Sequence, residues 1–409
     1  KAEGGVENPG VADRLNKAKS VRNQGGRDKG LGRRGALSEN TQEGTAQEGV
    51  VGMDQRPPEV VEISYKDKPR PWNPKKVAVV IMAYPHETME ELIQTIASLR
   101  ALPHTAQHDL YVSQDHQNPK MNSFIVKLQS TGAIGHMIHN TPDPSHLHMR
   151  ERAAQHQRLA MDAIFSKEQG YTHAIFLEDS VKFAPDFFDF FAGGAPLLDR
   201  DESIWCVSAW HELGYKEMDW DTSKLMRTTH FSGIAWMARK ELWTELSGKW
   251  PSQSWIEWMS QDSTRAGRSC VIPEVSRVER IGNPVYSAEE ARFERFNAKV
   301  RLSDLLSEKM TFVETSYVLK EQYDAYLSGS VRRAKKIENP MRAEVPANSF
   351  GPFLLEYDPV GFPVIARKYG LPDTPLGDYE GLTILKLKGN LILLARKDSK
   401  WVAMKNDVQ

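Results

Sequence analysis

The sequence predicts an α/β fold: a mostly parallel central sheet flanked by helices, with a small C-terminal α+β subdomain. Three observations carry that expectation. Apolar strand patterns alternate with helical ones from Val77 to Leu177, acids stand at strand ends at Asp115, Glu178 and Asp179, and a hairpin pattern turns at Lys388, Gly389 and Asn390 near the C-terminus. Alternating β and α units build parallel sheets with helices on both faces. Ligands in such sheets sit at the carboxyl ends of strands, where these acids fall.

The continuous apolar run Val77 to Ala83 reads as a buried parallel strand. Thr88 with Glu91 gives a helix-start signal, and Met89, Leu92, Ile93, Ile96 and Leu99 share one helical face behind it. The pattern repeats as a strand at Leu110 to Ser113 ending in Gln114 and Asp115, a helix near 120–131, a strand near 134–139 and a helix near 149–168. Strand Thr172 to Leu177 runs into Glu178-Asp179-Ser180, and helix Ala184 to Leu198 precedes strand Ile204 to Trp210. A helix near 239–247 and mixed strands to about 316 complete this part. Beyond it a helix from about 317 leads to the hairpin Leu382 to Leu387 and Leu391 to Ala395. Residues 1–70 are rich in Gly, Asn, Gln and charge and poor in large apolar residues, so they read as a flexible stem. The expected organisation is therefore 1–70 stem, 71–316 catalytic-type domain and 317–409 C-terminal subdomain.

Lysine plus arginine (53) nearly cancel aspartate plus glutamate (54), so no global field draws the chain to nucleic acid or an anionic membrane. The first 36 residues lean basic, which fits either a solvated linker or an arm that docks on a protein partner. No run approaches the roughly 18 apolar residues of a membrane helix, so any membrane anchor is expected outside this sequence. The two cysteines, Cys206 and Cys270, fit by themselves either buried thiols or one disulfide.

Glu178-Asp179-Ser180 is the most informative local motif, since paired acids at a strand end hold a divalent cation against a diphosphate or bind ribose hydroxyls. Acids there also serve as helix caps, so the motif alone leaves both readings open. Eight of the ten tryptophans lie between 205 and 258. Trp205, Trp236 and Trp243 stand in apolar contexts and read as core, whereas Trp255 and Trp258 read either as core or as a platform for sugar faces. His136, His139, His146 and His148 lack the spacing of a convergent zinc site around Pro142 and Pro144, and read as loop histidines.

Around the acidic motif the chain resembles the N-acetylglucosaminyltransferase I family, glycosyltransferase family 13, and the related protein O-mannose N-acetylglucosaminyltransferases. The resemblance rests on Val112-Ser113-Gln114-Asp115, Ala184-Pro185-Asp186-Phe187-Phe188, Trp205-Cys206-Val207-Ser208-Ala209-Trp210, Glu241-Leu242-Trp243 with Lys249-Trp250-Pro251, and Pro273-Glu274-Val275-Ser276-Arg277, in family order over roughly 75–395. It implies a GT-A, Rossmann-like fold and inverting transfer from a UDP-sugar, most simply N-acetylglucosamine onto mannose. It also implies donor contacts from Asp115, His156, Glu178, Asp179 and Ser287, with acceptor docking near Trp255 and Trp258.

Three positions depart from the family pattern. Ser180 stands where the resemblance implies an aspartate on manganese, which places the Mn2+ site at Asp179 and Ser180 in question because a hydroxyl is a weak ligand for a hard cation. Ile256 stands where the base aspartate is implied, leaving adjacent Glu257 as the candidate base, and His86 stands for an arginine that meets the nucleotide. The resemblance also implies a Cys206–Cys270 disulfide, while the partners of a second bridge are Tyr84 and His116 here. A paired bridge fits an oxidising lumen. The expectation is thus a Golgi-lumenal UDP-sugar glycosyltransferase acting on a glycoprotein glycan, and the alternative is a transferase-fold protein kept as a binding or scaffold subunit of a larger assembly.

Overall fold

The computed structural model describes residues 72–84, 89–115, 119–139, 147–282, 295–306, 315–338 and 345–406. The expected stem over 1–70, together with His86, Thr88, His116, His146 and Ser287, lies outside the described residues. Tyr65–Gln409 gather into one compact unit.

The first half alternates as expected: β1 (Val77–Ala83), α1 (Glu90–Arg100), β2 (Asp109–Gln114), α2 (Pro119–Ser130), β3 (His136–His139), α3 (Met149–Ile164) and β4 (His173–Glu178). All seven residues of β1 are buried, because helices cover both faces of the strand. In α1, Leu92, Ile96 and Leu99 are at most 4% exposed and Met89 packs on the same core, but Ile93 is 44% exposed and faces solvent. The buried stripe follows i, i+4, i+7, and burial of each of its three side chains contributes about 1.5–3 kcal/mol.

Next come β5 (Val181–Phe183), α4 (Phe187–Arg200), β6 (Ile204–Ser208), β7 (Leu225–Thr228), β8 (Ala235–Arg239), α5 (Lys240–Leu246), α6 (Trp255–Ser260), α7 (Asp262–Arg265), β9 (Ser269–Pro273) and β10 (Val278–Arg280). Helix α4 starts at Phe187 rather than Ala184, since the Asp186 side chain goes to Arg277 instead of capping the helix. Eight strands form the main sheet in the order β3-β2-β1-β4-β8-β6-β9-β7. Strands β1 to β4 pair in parallel, as do β6 and β9, whereas β8 runs antiparallel to both neighbours and β7 antiparallel to β9. The sheet is therefore mixed and mostly parallel. Cys206 and Cys270 are register partners on β6 and β9 with Cα atoms 4.6 Å apart, and they form a disulfide.

The C-terminal part holds α8 (Lys320–Arg333), β11 (Lys335–Lys336), β12 (Pro352–Tyr357), α9 (Phe362–Tyr369), β13 (Leu382–Leu387), β14 (Asn390–Arg396) and α10 (Lys400–Asn406). A four-stranded sheet, β11-β12-β14-β13, forms its core. The hairpin turns on two residues, Lys388 and Gly389, both at positive φ (52° and 71°), so Asn390 already belongs to β14. A two-residue loop of this kind matches the twist of the strands it joins. A buried arginine and a glutamate tie this part to the first: Arg227 of β7 donates to Val318 O at 3.0 Å, and Glu274 receives Lys386 of β13 at 2.5 and 2.7 Å.

Candidate active site

Parallel pairing of β1 with both β2 and β4 brings Tyr84, Asp115, Glu178 and Asp179 to one edge of the sheet. Asp179 is fully buried. Its Oδ2 accepts the Tyr84 backbone N–H at 2.7 Å, and its carbonyl accepts the Thr95 hydroxyl at 2.9 Å. Asp115, 2% exposed, pairs with Arg152 of α3. One turn along the same helix His156 is fully buried, with Nε2 2.8 Å from Ser113 Oγ and its ring edge-on to Tyr84 at 5.1 Å. Asp115, His156 and Asp179 are thus buried polar groups behind the strand ends, each with a partner of its own.

A cleft of about 270 Å³ opens beside these groups, and Tyr84, Glu178 and Arg280 reach it. From α6 come Trp255, Ile256 and Glu257, and from α3 comes Arg150. Gly233, at φ +74°, lies in the β7–β8 loop where an added Cβ would stand 3.2 Å from Ile256 Cδ1 and 3.3 Å from Trp255. Only glycine lets that loop and α6 approach so closely. Asn297, Thr374 and Leu376 also line the cleft.

The sequence-derived candidates divide within this geometry. Glu178 lines the cleft and pairs with Arg280 of β10, both side chains 8% exposed. Glu257 lies at the rim, with its side chain 56% exposed and Oε1 3.8 Å from Arg150 Nη1. Trp255 is 4% exposed and stacks on Trp250 at 5.6 Å, so it offers the cleft an edge rather than an open face. Trp258 packs edge-on against Trp250 and does not line the cleft. Trp250 in turn donates its indole N–H to Ala154 O at 2.9 Å, which clamps α6 to α3. Trp205, Trp236 and Trp243 are buried as expected. His136 and His139 belong to strand β3 rather than to a loop, and His136 stacks on Tyr111 at 4.5 Å.

Sequence reasoning missed four charged or titratable cleft residues: Arg150, Glu212, His230 and Arg280. Glu212 Oε1 lies 3.5 Å from His230 Nε2, with side chains 9% and 25% exposed. Burial pushes the Glu212 carboxyl up to about 8 and the His230 imidazole down to about 4, so both stay uncharged at neutral pH. Glu212 lies in the loop four residues beyond the end of β6, whereas Glu178 is the last residue of β4, so the strand-end rule that singled out Glu178 reaches Glu212 only loosely. Nothing local marks His230 or Arg280.

The manganese that the family resemblance implies does not fit the residues present. Asp179 already spends its Oδ2 on a backbone N–H, Glu178 is engaged by a guanidinium, and Ser180 contributes a hydroxyl rather than a third carboxylate. Among the described residues no group of three His, Cys, Asp or Glu side chains is arranged to hold a metal ion. No step of the reaction derived from this cleft runs through a metal.

Comparison with known proteins bears on this geometry directly. The chain is 28% identical over 321 residues, 76% of its length and 71% of the relative's, to the alpha-1,3-mannosyl-glycoprotein 2-beta-N-acetylglucosaminyltransferase of Arabidopsis thaliana. Far looser are its likenesses to two solved structures. A Pyrobaculum calidifontis mannosyltransferase in complex with GDP-Man and Mn2+ matches with TM-score 0.36 and 14% identity over 52% of this chain and 58% of that one. GalNAc-T7 with UDP, GalNAc and Mn2+ matches with TM-score 0.36 and 15% identity over 62% and 50%. A family model, that of the GNT-I family, matches residues 36–408. With the mixed α/β sheet and the strand-end acids in place, the chain belongs to the GNT-I family of glycosyltransferases.

Proposed function

We propose that the cleft beside Glu178 transfers N-acetylglucosamine, with inversion, from UDP-N-acetylglucosamine to a mannose of a glycoprotein glycan. The observation that carries this reading is the convergence on one cleft of Glu178, from the strand-end motif, with Trp255 and Glu257, from the tryptophan-rich motif. The sugar and the mannosyl-glycoprotein acceptor are those for which the Arabidopsis relative is named.

In the proposed step the acceptor hydroxyl oxygen forms a bond to the anomeric carbon while the bond from that carbon to the diphosphate oxygen breaks. The bonding pair leaves with UDP, and the hydroxyl proton passes to a cleft carboxylate. Ile256 has no group that takes a proton, so Glu257, its neighbour on the first turn of α6 and exposed at the rim, is the proposed acceptor. Glu178 is placed to orient the donor, with Arg280 holding its carboxylate. Holding both reactants in one small cleft contributes to the rate gain expected of in-line displacement. A Golgi-lumenal setting agrees with the Cys206–Cys270 disulfide, which needs an oxidising compartment. Among the described residues no helix is long and apolar enough to cross a membrane.

Calorimetric titration with UDP-N-acetylglucosamine, UDP-glucose and GDP-mannose tests the donor. Micromolar binding of the first, with weaker binding of the others, is expected. Preference for GDP-mannose would contradict the donor assignment. Failure to bind any of the three would favour the binding or scaffold reading that Ile256 and Ser180 raise.

A further inference from the structure

The cleft holds a cation of its own beside the strand-end motif that lacks a third acid. Strand β10 pairs antiparallel with β5 so that Arg280 lies opposite Val181, and the next residue, Ile281, donates its N–H to Ser180 O at 2.9 Å. The backbone of Arg280 is thereby locked beside Ser180. Its guanidinium is 8% exposed, lines the cleft and is oriented by Glu178. A guanidinium presents its N–H donors in a planar fork whose spacing suits phosphate oxygens. Arg150, from α3, brings a second guanidinium to the same cleft.

From this juxtaposition we infer that Arg280 binds the diphosphate of the donor and neutralises the charge that develops on it, in place of a divalent cation. The inference rests on the nucleotide-sugar reading above and adds the identity of the group that holds the leaving diphosphate. When the bond from the anomeric carbon to the diphosphate oxygen breaks, its electron pair stays on that oxygen. Guanidinium N–H groups then donate to the oxygen without giving up a proton, so the side chain ends the step in the state in which it began. Glu178 serves two partners in this arrangement: it keeps the guanidinium aimed into the cleft and faces the donor itself. A low-dielectric, 8%-exposed setting strengthens such an interaction relative to the same pair in water.

The test is UDP binding by calorimetry, in EDTA and in manganese, for the wild type, Arg280→Gln and Arg280→Lys, with uridine binding followed by ligand-observed NMR. Wild-type affinity for UDP is expected to be the same in EDTA and in manganese. Arg280→Gln is expected to weaken UDP binding roughly 10- to 100-fold, as loss of charge-assisted hydrogen bonds does, while leaving uridine binding unchanged. Arg280→Lys is expected to fall between, since it keeps the charge and loses the fork. Wild-type UDP binding that collapses in EDTA would overturn the inference. So would an Arg280→Gln variant that binds UDP like the wild type, or one that loses uridine and UDP alike, because the side chain then acts only on the fold. A wild type that binds no UDP under either condition overturns the nucleotide-sugar reading instead, which separates the two failures.

Discussion

Arg277 donates from Nε to Asp186 Oδ2 at 2.9 Å with both side chains fully buried, and its other nitrogens reach Val275 O at 2.7 Å and Thr222 O at 2.6 Å. Two motifs nearly a hundred residues apart in the chain, Pro185-Asp186 and Ser276-Arg277, are thus one structural joint under the β5–β10 pair. Burial pushes the Asp186 carboxyl up, against the pull of Arg277, and pushes the guanidinium down. Removing one partner leaves the other charge buried and unpaired. Arg277→Ala is therefore expected to destabilise the fold by about 3–5 kcal/mol, measured by urea unfolding. A loss below about 1 kcal/mol would show that water reaches the joint.

Glu212 and His230 make stability depend on pH in a calculable direction. The Glu212 pKa is raised in the folded chain from the usual 4.5 to about 8, so between those values the fold holds a proton that the unfolded chain has released. Stability then falls as pH rises. His230 is lowered from the usual 6.5 to about 4, which makes stability rise between those values, so the two roughly offset up to pH 6.5. Between pH 6.5 and 8 Glu212 acts alone. The wild-type Tm is expected to drop across that window by more than the Tm of Glu212→Gln, by differential scanning calorimetry. Equal slopes would place Glu212 in contact with water or a counter-charge.

The Cys206–Cys270 bridge joins residues 64 apart in sequence, and closing a loop of that size restricts the unfolded chain by about 4 kcal/mol in the chain-entropy model. The double Cys→Ser variant is expected to lose an amount of that order in denaturant unfolding, while its far-UV spectrum stays native. Both sulfurs lie on neighbouring strands of the main sheet, so a change in secondary structure would mean that the bridge sets the β6–β9 register rather than only stabilising it.

Glu257→Gln is expected to lower the transfer rate at least 100-fold, the range for a positioned proton acceptor, and to leave donor affinity within about twofold. Transfer at the wild-type rate in this variant would remove Glu257 from the mechanism and turn attention to Glu212, the cleft carboxyl whose ion-pair neighbour is His230 rather than an arginine.

Restoring a carboxylate with Ser180→Asp tests how far the motif has moved from metal binding. With Asp179 already bonded to the Tyr84 N–H and Glu178 to Arg280, the new acid has no second free carboxylate to share a cation with. UDP affinity of Ser180→Asp is therefore expected to show no manganese response in calorimetry. Tight metal-dependent binding would mean that the Asp179 carboxylate gives up its backbone bond.

Much of the fold was legible because local patterns coincide with tertiary burial. The run Val77–Ala83 is a strand with the expected ends, and α2 and the hairpin Leu382–Arg396 fall within a residue or two of their patterns. Ile93 misled, since its spacing admits it to the apolar face but the helix rotates it into solvent. The antiparallel insertion of β8 between β4 and β6 was not readable, because strand direction depends on connections rather than composition. At the site, Glu178, Asp179 and Asp115 were found by the strand-end rule, yet only Glu178 reaches the cleft. Arg280 was missed because its meaning comes from register: only the pairing of β10 with β5 brings it beside Ser180. Trp255 lines the cleft but is largely buried, with Trp250 stacked on it and Phe231 in a T-shaped contact.

The most direct measurement is sugar transfer itself: the purified chain is incubated with UDP-N-acetylglucosamine and a mannose-terminated glycoprotein, and the released glycans are weighed by mass spectrometry alongside a Glu178→Gln control. Addition of one N-acetylhexosamine to the mannose-terminated glycan by the wild type, and its loss in the control, is the result expected. Unmodified glycans in the presence of a bound donor would contradict transfer in this cleft and leave a nucleotide-sugar binding protein built on a transferase fold.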